Sequence, residues 1–182
     1  MASTGLTIAG AGANNADAGD DAWANPGNVT ADDGTNASSG GLKGETSQYL
    51  HATNFGFSLP TGAVPTGIEV RVQRLQSVGG GTPTIKDHTI QLIKAGSRAG
   101  DNKADLATTW PSSATNKDYG GATDLWGTTW TAAQINASNF GVAVRAEETF
   151  ATSGSIADAR VDAIWINVTY RIGSRNHGQV IG

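Results

Sequence analysis

The sequence predicts an all-β chain folded as a β-sandwich, and three observations predict it. The first is the stretch from Ala159 to Ile172. Ile164, Ile166, Val168, Tyr170 and Ile172 alternate with Trp165, Asn167, Thr169 and Arg171. A period of two over this length is a strand with one buried face, and its β-branched and aromatic residues suit a pleated surface. A strand so long is expected to run through the middle of a sheet. The second is composition. Of 182 residues only 15 % are charged and 25 are glycine, which is not the make-up of a helical protein. The third is the recurrence of short apolar runs between turn signals, with room for at most one short helix. A jelly-roll is the preferred form of the sandwich.

Residues 1–20 are Gly, Ala, Asn and Asp around two apolar anchors, Leu6 and Ile8. Such a stretch is ordered only when something holds it. A neighbouring subunit is one holder, and the chain's own domain is the other. The expected organisation is therefore an extended arm over 1–20, a sandwich over 21–172 and a polar tail over 173–182.

Trp23 precedes a Pro26-Gly27 turn and reads as a plug of the core or its edge. Residues 31–47 form a loop with turn chemistry at Asp33-Gly34, and Gln48–Ala52 is a strand. A turn-rich hinge, Thr61–Gly67, leads to Ile68–Leu75, where Ile68, Val70 and Val72 alternate with Glu69, Arg71 and Gln73. That strand has one dry and one wet face, and Gly79-Gly80-Gly81 closes it. His88–Lys94 follows as a strand in a hairpin-like return. The polar excursion 95–125 is long enough to form an interface or to hide short strands. Thr131–Asn136 is the helical candidate, with Thr131 as cap and Gln134 at the reciprocal position. Phe140–Arg145 is a strand, and a polar tip over Glu147–Ala157 leads to the last one. Ala52-Thr53-Asn54-Phe55-Gly56-Phe57 is echoed by Ala137-Ser138-Asn139-Phe140-Gly141-Val142, and Thr108-Thr109-Trp110 by Thr128-Thr129-Trp130. Each Asn-Phe-Gly is read as marking the start of a strand.

The formal net charge is −4, so no nucleic-acid backbone is an expected partner. Without cysteine there is no disulfide or thiolate site. Residues 1–20 hold neither a basic n-region nor a long apolar run, so neither a signal peptide nor a membrane span is expected. His51, His88 and His177 are scattered and no Gly-x-Ser-x-Gly elbow occurs, so no enzyme activity is expected. The acidic pairs Asp20-Asp21 and Asp32-Asp33 are the densest. Calcium takes six to eight oxygens, more than either pair alone supplies, and no metal or cofactor is expected. Asn-x-Ser/Thr sequons at Asn28, Asn36, Asn136 and Asn167 are read as chance in a chain this rich in those residues.

The candidate contacts are aromatic and apolar: Leu6, Ile8, Trp110, Trp126, Trp130 and Trp165. Rings in loops stack on sugars or anchor interfaces. The stronger reading of Trp110, Trp126 and Trp130 is that they cap the core under the excursion, since large apolar side chains end up buried. Trp165 points away from Ile164 and Ile166 and is a subunit contact if its face is uncovered.

Several of these segments together resemble structural proteins of tailed bacteriophages. They are Trp23-Ala24-Asn25-Pro26-Gly27-Asn28, Tyr49 to Ala63, Gly67-Ile68-Glu69-Val70, Gly120 to Gly127, Ile135 to Val142, and Ala159-Arg160-Val161-Asp162. The resemblance spans most of residues 22–172. It rests on turn, core and strand-start positions and brings no catalytic residue with it. It implies a β-sandwich virion protein, assembled in the host cytoplasm, that decorates the head or sits in the tail. The leading expectation is a capsid decoration (cement) protein that binds the major capsid protein and itself as a homotrimer. The arm would reach for neighbours. The alternative is a tail or fibre module that binds cell-surface glycan.

Overall fold

The computed structural model describes residues 1–79, 82–149 and 156–172. They form two antiparallel sheets packed face to face. The strands in chain order are β1 (Ala2–Ser3), β2 (Thr7–Ile8), β3 (Ala11–Asn15), β4 (Ala37–Ser38), β5 (Tyr49–Thr53), β6 (Ala63–Val78), β7 (Thr84–Lys94), β8 (Ser97–Ala99), β9 (Thr115–Gly121), β10 (Gly141–Thr149) and β11 (Ala157–Ile172). One sheet runs β1-β11-β6-β9, with β2 and β4 also on the free side of β11; the other runs β3-β5-β10-β7-β8. The long strands pair in a nest, β6 with β11 and β7 with β10, the winding of the jelly-roll kind. The connection from β6 to β7 passes from one sheet to the other, so it is not the hairpin return expected for His88–Lys94. Both strands are wet on one side, and each finds its dry face against the opposite sheet rather than beside its chain neighbour.

The core lies between the sheets. Ile68, Val70 and Val72 of β6 and Ile164, Ile166 and Val168 of β11 meet Leu50, Ile90, Leu92, Val142 and Val144 of the other sheet. Each is fully buried, and such side chains contribute about 1.5–3 kcal/mol apiece by leaving water. At one end Phe57 and Trp130 close on Phe140, at 5.9 and 5.4 Å between ring centroids, and Phe55 stacks on Phe57. Trp23 is buried as expected. The one α-helix among the described residues, α1 (Ala132–Asn136), carries the predicted capping box between Thr131 and Gln134.

Residues 1–20 lie along their own domain instead of reaching outward. Ala2–Ser3 and Thr7–Ile8 pair with β11, and Ala11–Asn15 pairs with β5 of the opposite sheet. The crossing takes two residues. The Ala9 amide donates to Ile164 O, and the Gly10 amide donates to Thr53 O and Asn54 O. A side chain at position 10 would meet Asn54 O at 2.4 Å, so only glycine fits this step. The segment thereby covers two strand edges that would otherwise expose unpaired backbone groups.

The excursion 95–125 hides β8 and β9, one in each sheet. Thr61–Gly67 is not a free hinge, because β6 begins at Ala63. Pairing with β11 as far as Ile172 overrides the turn signals, and Pro65 is accommodated where the register shifts beside Tyr170. The two Asn-Phe-Gly echoes come together in space. Thr53 pairs with Gly141, the Asn54 amide donates to Ser138 O, and a Cβ on Gly141 would strike Ala52 O at 1.9 Å. The second echo starts a strand as expected. The first ends one, since β5 stops at Thr53 and Asn54 turns out with φ 56. Gly80-Gly81, the centre of the 147–157 tip, the tail 173–182 and His177 lie outside the described residues.

Candidate functional site

The outward face of the β11 sheet is where the chain's unabsorbed chemistry gathers. β6 lies in the middle of it and presents Glu69, Arg71 and Gln73 outward, as their alternation with Ile68, Val70 and Val72 requires. Strand register then sets rows across the face. Arg71 is abreast of Asp118 on β9 and of Trp165 on β11, and Ile8 lies beyond Trp165. The Arg71 guanidinium forks onto Asp118, Nε to Oδ1 at 2.7 Å and Nη2 to Oδ2 at 2.8 Å. That fork holds the Asp118 carboxyl below its ordinary range and raises Arg71 in turn. In the next row Asn167 Nδ2 donates to Glu69 Oε2 at 3.4 Å, and Thr4 Oγ1 donates to Asn167 Oδ1 at 3.4 Å.

The row on the other side is made by a β-bulge. Val72 pairs with Ile164 and Arg74 with Val161, so Asp162 and Ala163 together oppose the single residue Gln73. The bulge shifts the alternation. Ala157, Ala159 and Val161 face the core before it, and Ile164, Ile166 and Val168 after it. It turns Asp162 toward Gln73, beneath the loop that contains Asp32 and Asp33. Bulges re-aim side chains in this way. Asp162 is only 2 % exposed. Burial pushes its carboxyl up; the Gly34 and Asp33 amides oppose that, and the charges of Asp32 and Asp33 add to it.

Of the six predicted contact residues, three belong to the core. Trp110, Trp126 and Trp130 are all buried, in line with their stronger reading as caps of the core, and this corrects the weaker one as exposed loop contacts. Each indole N–H has an internal acceptor, which is why the rings turn inward: Trp110 on Asp87 Oδ1 at 2.8 Å, Trp126 on Ile68 O at 2.9 Å, Trp130 on Leu125 O at 3.0 Å. The other three flank the outward face. Trp165 is half-buried in its middle, Ile8 is half-buried beside it, and Leu6 is exposed in the strip joining β1 to β2. Arg71, Asp118, Gln73 and Asp162 were not singled out from sequence. The signal for Asp162 was present, because the apolar alternation changes phase between Val161 and Ile164.

A recess beside Arg74 is lined by Thr108, Thr109, Pro111, Thr115, Asn116 and Lys117. Its charges are already used: Lys117 is 2.7 Å from Asp105, and Arg74 pairs with buried Asp87. Among the described residues no three His, Cys, Asp or Glu side chains gather to hold a metal by themselves. His88 Nδ1 shares a hydrogen bond with Thr89 Oγ1 at 2.9 Å, whereas the buried His51 Nε2 has no partner among the described residues.

Burial is the largest influence on both rings and pulls both below their ordinary pKa of 6.5. Arg98 adds to the effect at His51, and Asp17 opposes it. The unfolded chain therefore takes up protons first, and stability present above pH 6.5 is lost as the pH falls through and below it. The melting temperature is expected to drop between pH 7.5 and pH 5.5, and the drop should shrink in His51→Gln. An identical slope in that variant would assign the effect to other groups. The chain matches no protein-family model, no curated protein and no solved structure.

Proposed function

We propose that this chain is a non-enzymatic structural protein of a tailed-bacteriophage virion, a head decoration protein that binds the major capsid protein and assembles as a trimer. The observation that carries the proposal is Trp165, half-buried on an outward sheet face with the Arg71–Asp118 fork directly abreast. Tryptophan and arginine are the residues most enriched at the centres of protein interfaces. A broad sheet face offers area for docking rather than a cleft for a reaction. The chemistry is binding energy, small for each copy and multiplied over a symmetric shell. The resemblance of residues 22–172 to tailed-phage structural proteins points the same way. The N-terminal segment takes a different part from the expected embrace: Ala2–Ser3 and Thr7–Ile8 extend the sheet that presents Trp165, and Ala11–Asn15 extends the other.

Trp165 also favours a second reading. An indole face beside Glu69 and Asn167 has the ring and the polar partners that a sugar needs, as a glycan-binding tail module would use it.

Quantitative mass spectrometry of purified virions against the major capsid protein separates the two. Hundreds of copies over the head are expected. Trp165→Ala should weaken binding to empty capsids by about 30-fold, the equivalent of ~2 kcal/mol at a central anchor, with the melting temperature of the free chain little changed. Wild-type occupancy by that variant would remove the sheet face from the reading. A few copies on the tail, with glycan binding lost in Trp165→Ala, would establish the second reading instead.

A further inference from the structure

We propose that Asp162, Asp32, Gln73 and Asn36 form a binding site for a hard divalent cation, calcium by its chemistry. The site lies where the loop carrying Asp32 to Asn36 arches over the β11 bulge. Thr30 bridges to Ala163 at one end of the loop, and Ala37 pairs with Val161 at the other. That register brings Asn36 abreast of Asp162. The terminal amide of Gln73 reaches both carboxylates, 2.6 Å from Asp162 Oδ2 and 3.1 Å from Asp32 Oδ1. Three elements distant in sequence thus deliver oxygen-bearing side chains to one place.

Two oxygens there have no partner. Asp162 Oδ1 and Asn36 Oδ1 are both buried and neither accepts a hydrogen bond from any described residue. Asp162 as a whole is 98 % removed from solvent, at 2 % exposure. Its Oδ2 accepts from the Gly34 amide at 3.1 Å, and a carboxylate oxygen left unanswered in such a place is costly. With its nitrogen turned inward, Gln73 donates to Asp162 Oδ2 and Asp32 Oδ1 and leaves both orphans unanswered. With its oxygen turned inward, the same amide faces only the carboxylate oxygens Asp162 Oδ2 and Asp32 Oδ1, an arrangement that a cation between them reconciles. The spacings of 2.6 and 3.1 Å suit oxygens that share an ion at about 2.3–2.6 Å from each.

Carboxylate and amide oxygens are hard ligands, and their irregular placement suits calcium, which accepts variable geometry, better than magnesium, which demands an octahedron. Water completes the shell. Two carboxylates make a modest site, with an expected Kd on the order of 10⁻⁴–10⁻³ M, as in extracellular calcium modules. Bound calcium would clasp the 30–36 loop to β6 and β11. The inference does not rest on the docking role of the face.

The test is isothermal titration of the full chain with calcium chloride, with melting in calcium and in EGTA alongside. One binding event is expected, with a rise in melting temperature of roughly 3–6 °C at a tenfold excess over Kd. Asp162→Asn should abolish it. Asp162 is buried beneath the loop and that variant can fail to fold, so Asp32→Asn, on the exposed loop, provides the second reading and should weaken binding at least tenfold. Equal melting in calcium and EGTA with no binding heat would overturn the site. An unchanged calcium response in Asp32→Asn would overturn it as well, by placing the ion elsewhere.

Discussion

Arg74→Met is expected to destabilise the folded chain by about 3–5 kcal/mol, because it leaves a buried carboxylate without its cation. Asp87 is fully buried and Arg74 nearly so. Four groups converge on the Asp87 carboxylate. Oδ1 accepts from Arg74 Nη1 and, at 2.8 Å, from Trp110 Nε1. Oδ2 accepts from the Tyr119 hydroxyl at 2.9 Å and from the Asp105 amide at 2.9 Å. The guanidinium lies over both rings, 5.2 Å from the centroid of Trp110 and 5.9 Å from that of Tyr119. Burial and the Asp87 charge push the Tyr119 hydroxyl far above its ordinary range, so it remains a donor at any working pH. The cluster ties β6, β7 and β9 to the loop that carries Asp105 and Trp110. Methionine fills much of the arginine's volume, so the loss reports charge rather than a cavity. Arg71→Met is the control. Arg71 pairs with Asp118 at the surface, and such pairs contribute about 1 kcal/mol or less. Urea unfolding of the two variants measures the difference. Equal losses would show that the buried cluster is worth no more than a surface pair.

The strands of this fold were legible where alternation is uninterrupted. Ile68–Val72 and Ile164–Val168 declare their buried face in the sequence, and the capping box at Thr131 and Gln134 declares the helix. What was not legible was pairing. The alternation of β6 and β7 says that each has a dry face, not that the two belong to different sheets. Ala2–Ser3 and Thr7–Ile8 carry no strand signal of their own. They are strands because β11 offers an edge, a tertiary cause that local propensity does not record. Pro65 and Gly67 signal a turn, and the extended pairing of β11 outweighs them.

The candidate site was legible in part, for the same reason. Trp165 follows from period two, and its half-buried place on the outward face is where that period puts it. Trp110, Trp126 and Trp130 sit in polar surroundings in the sequence; their size favours burial, but the acceptors that complete it come from the fold. The two buried aspartates share a signal that is subtler than composition. On β11 the phase of the alternation breaks after Val161 and resumes at Ile164. On β7 it breaks between Asp87 and Ile90, where the register with β10 also shifts, beside Arg145 and Ala146. One break sends Asp162 outward under a loop, and the other leaves Asp87 in the core. A phase break in an otherwise clean strand is therefore the place to look for a polar side chain with a particular task.

Trp126→Ala is expected to cost about 3–5 kcal/mol, the range for removing a fully buried large aromatic ring. Its ring is 0 % exposed and its indole N–H donates to Ile68 O at 2.9 Å. The backbone is unusual as well. Trp126 has φ 59, in the left-handed region that a bulky side chain rarely enters. Three contacts hold it there. Its own amide donates to Asp124 Oδ1 at 2.7 Å, its carbonyl accepts from the Asp101 amide at 2.7 Å, and Asp124 is in turn fixed by Lys103 at 2.9 Å. Two contributions are therefore mixed in the wild type, a favourable ring and an unfavourable turn. Trp126→Gly separates them. It loses the same ring but relieves the strain, since glycine occupies positive φ without a Cβ penalty. Against that, glycine gains more freedom in the unfolded chain, which offsets part of the relief. The glycine variant is expected to be the more stable of the two by up to about 1 kcal/mol, measured by urea unfolding. An alanine variant more stable than the glycine one would mean that the left-handed turn costs this chain less than the entropy glycine adds, and that Asp101, Asp124 and Lys103 hold a conformation the backbone already accepts.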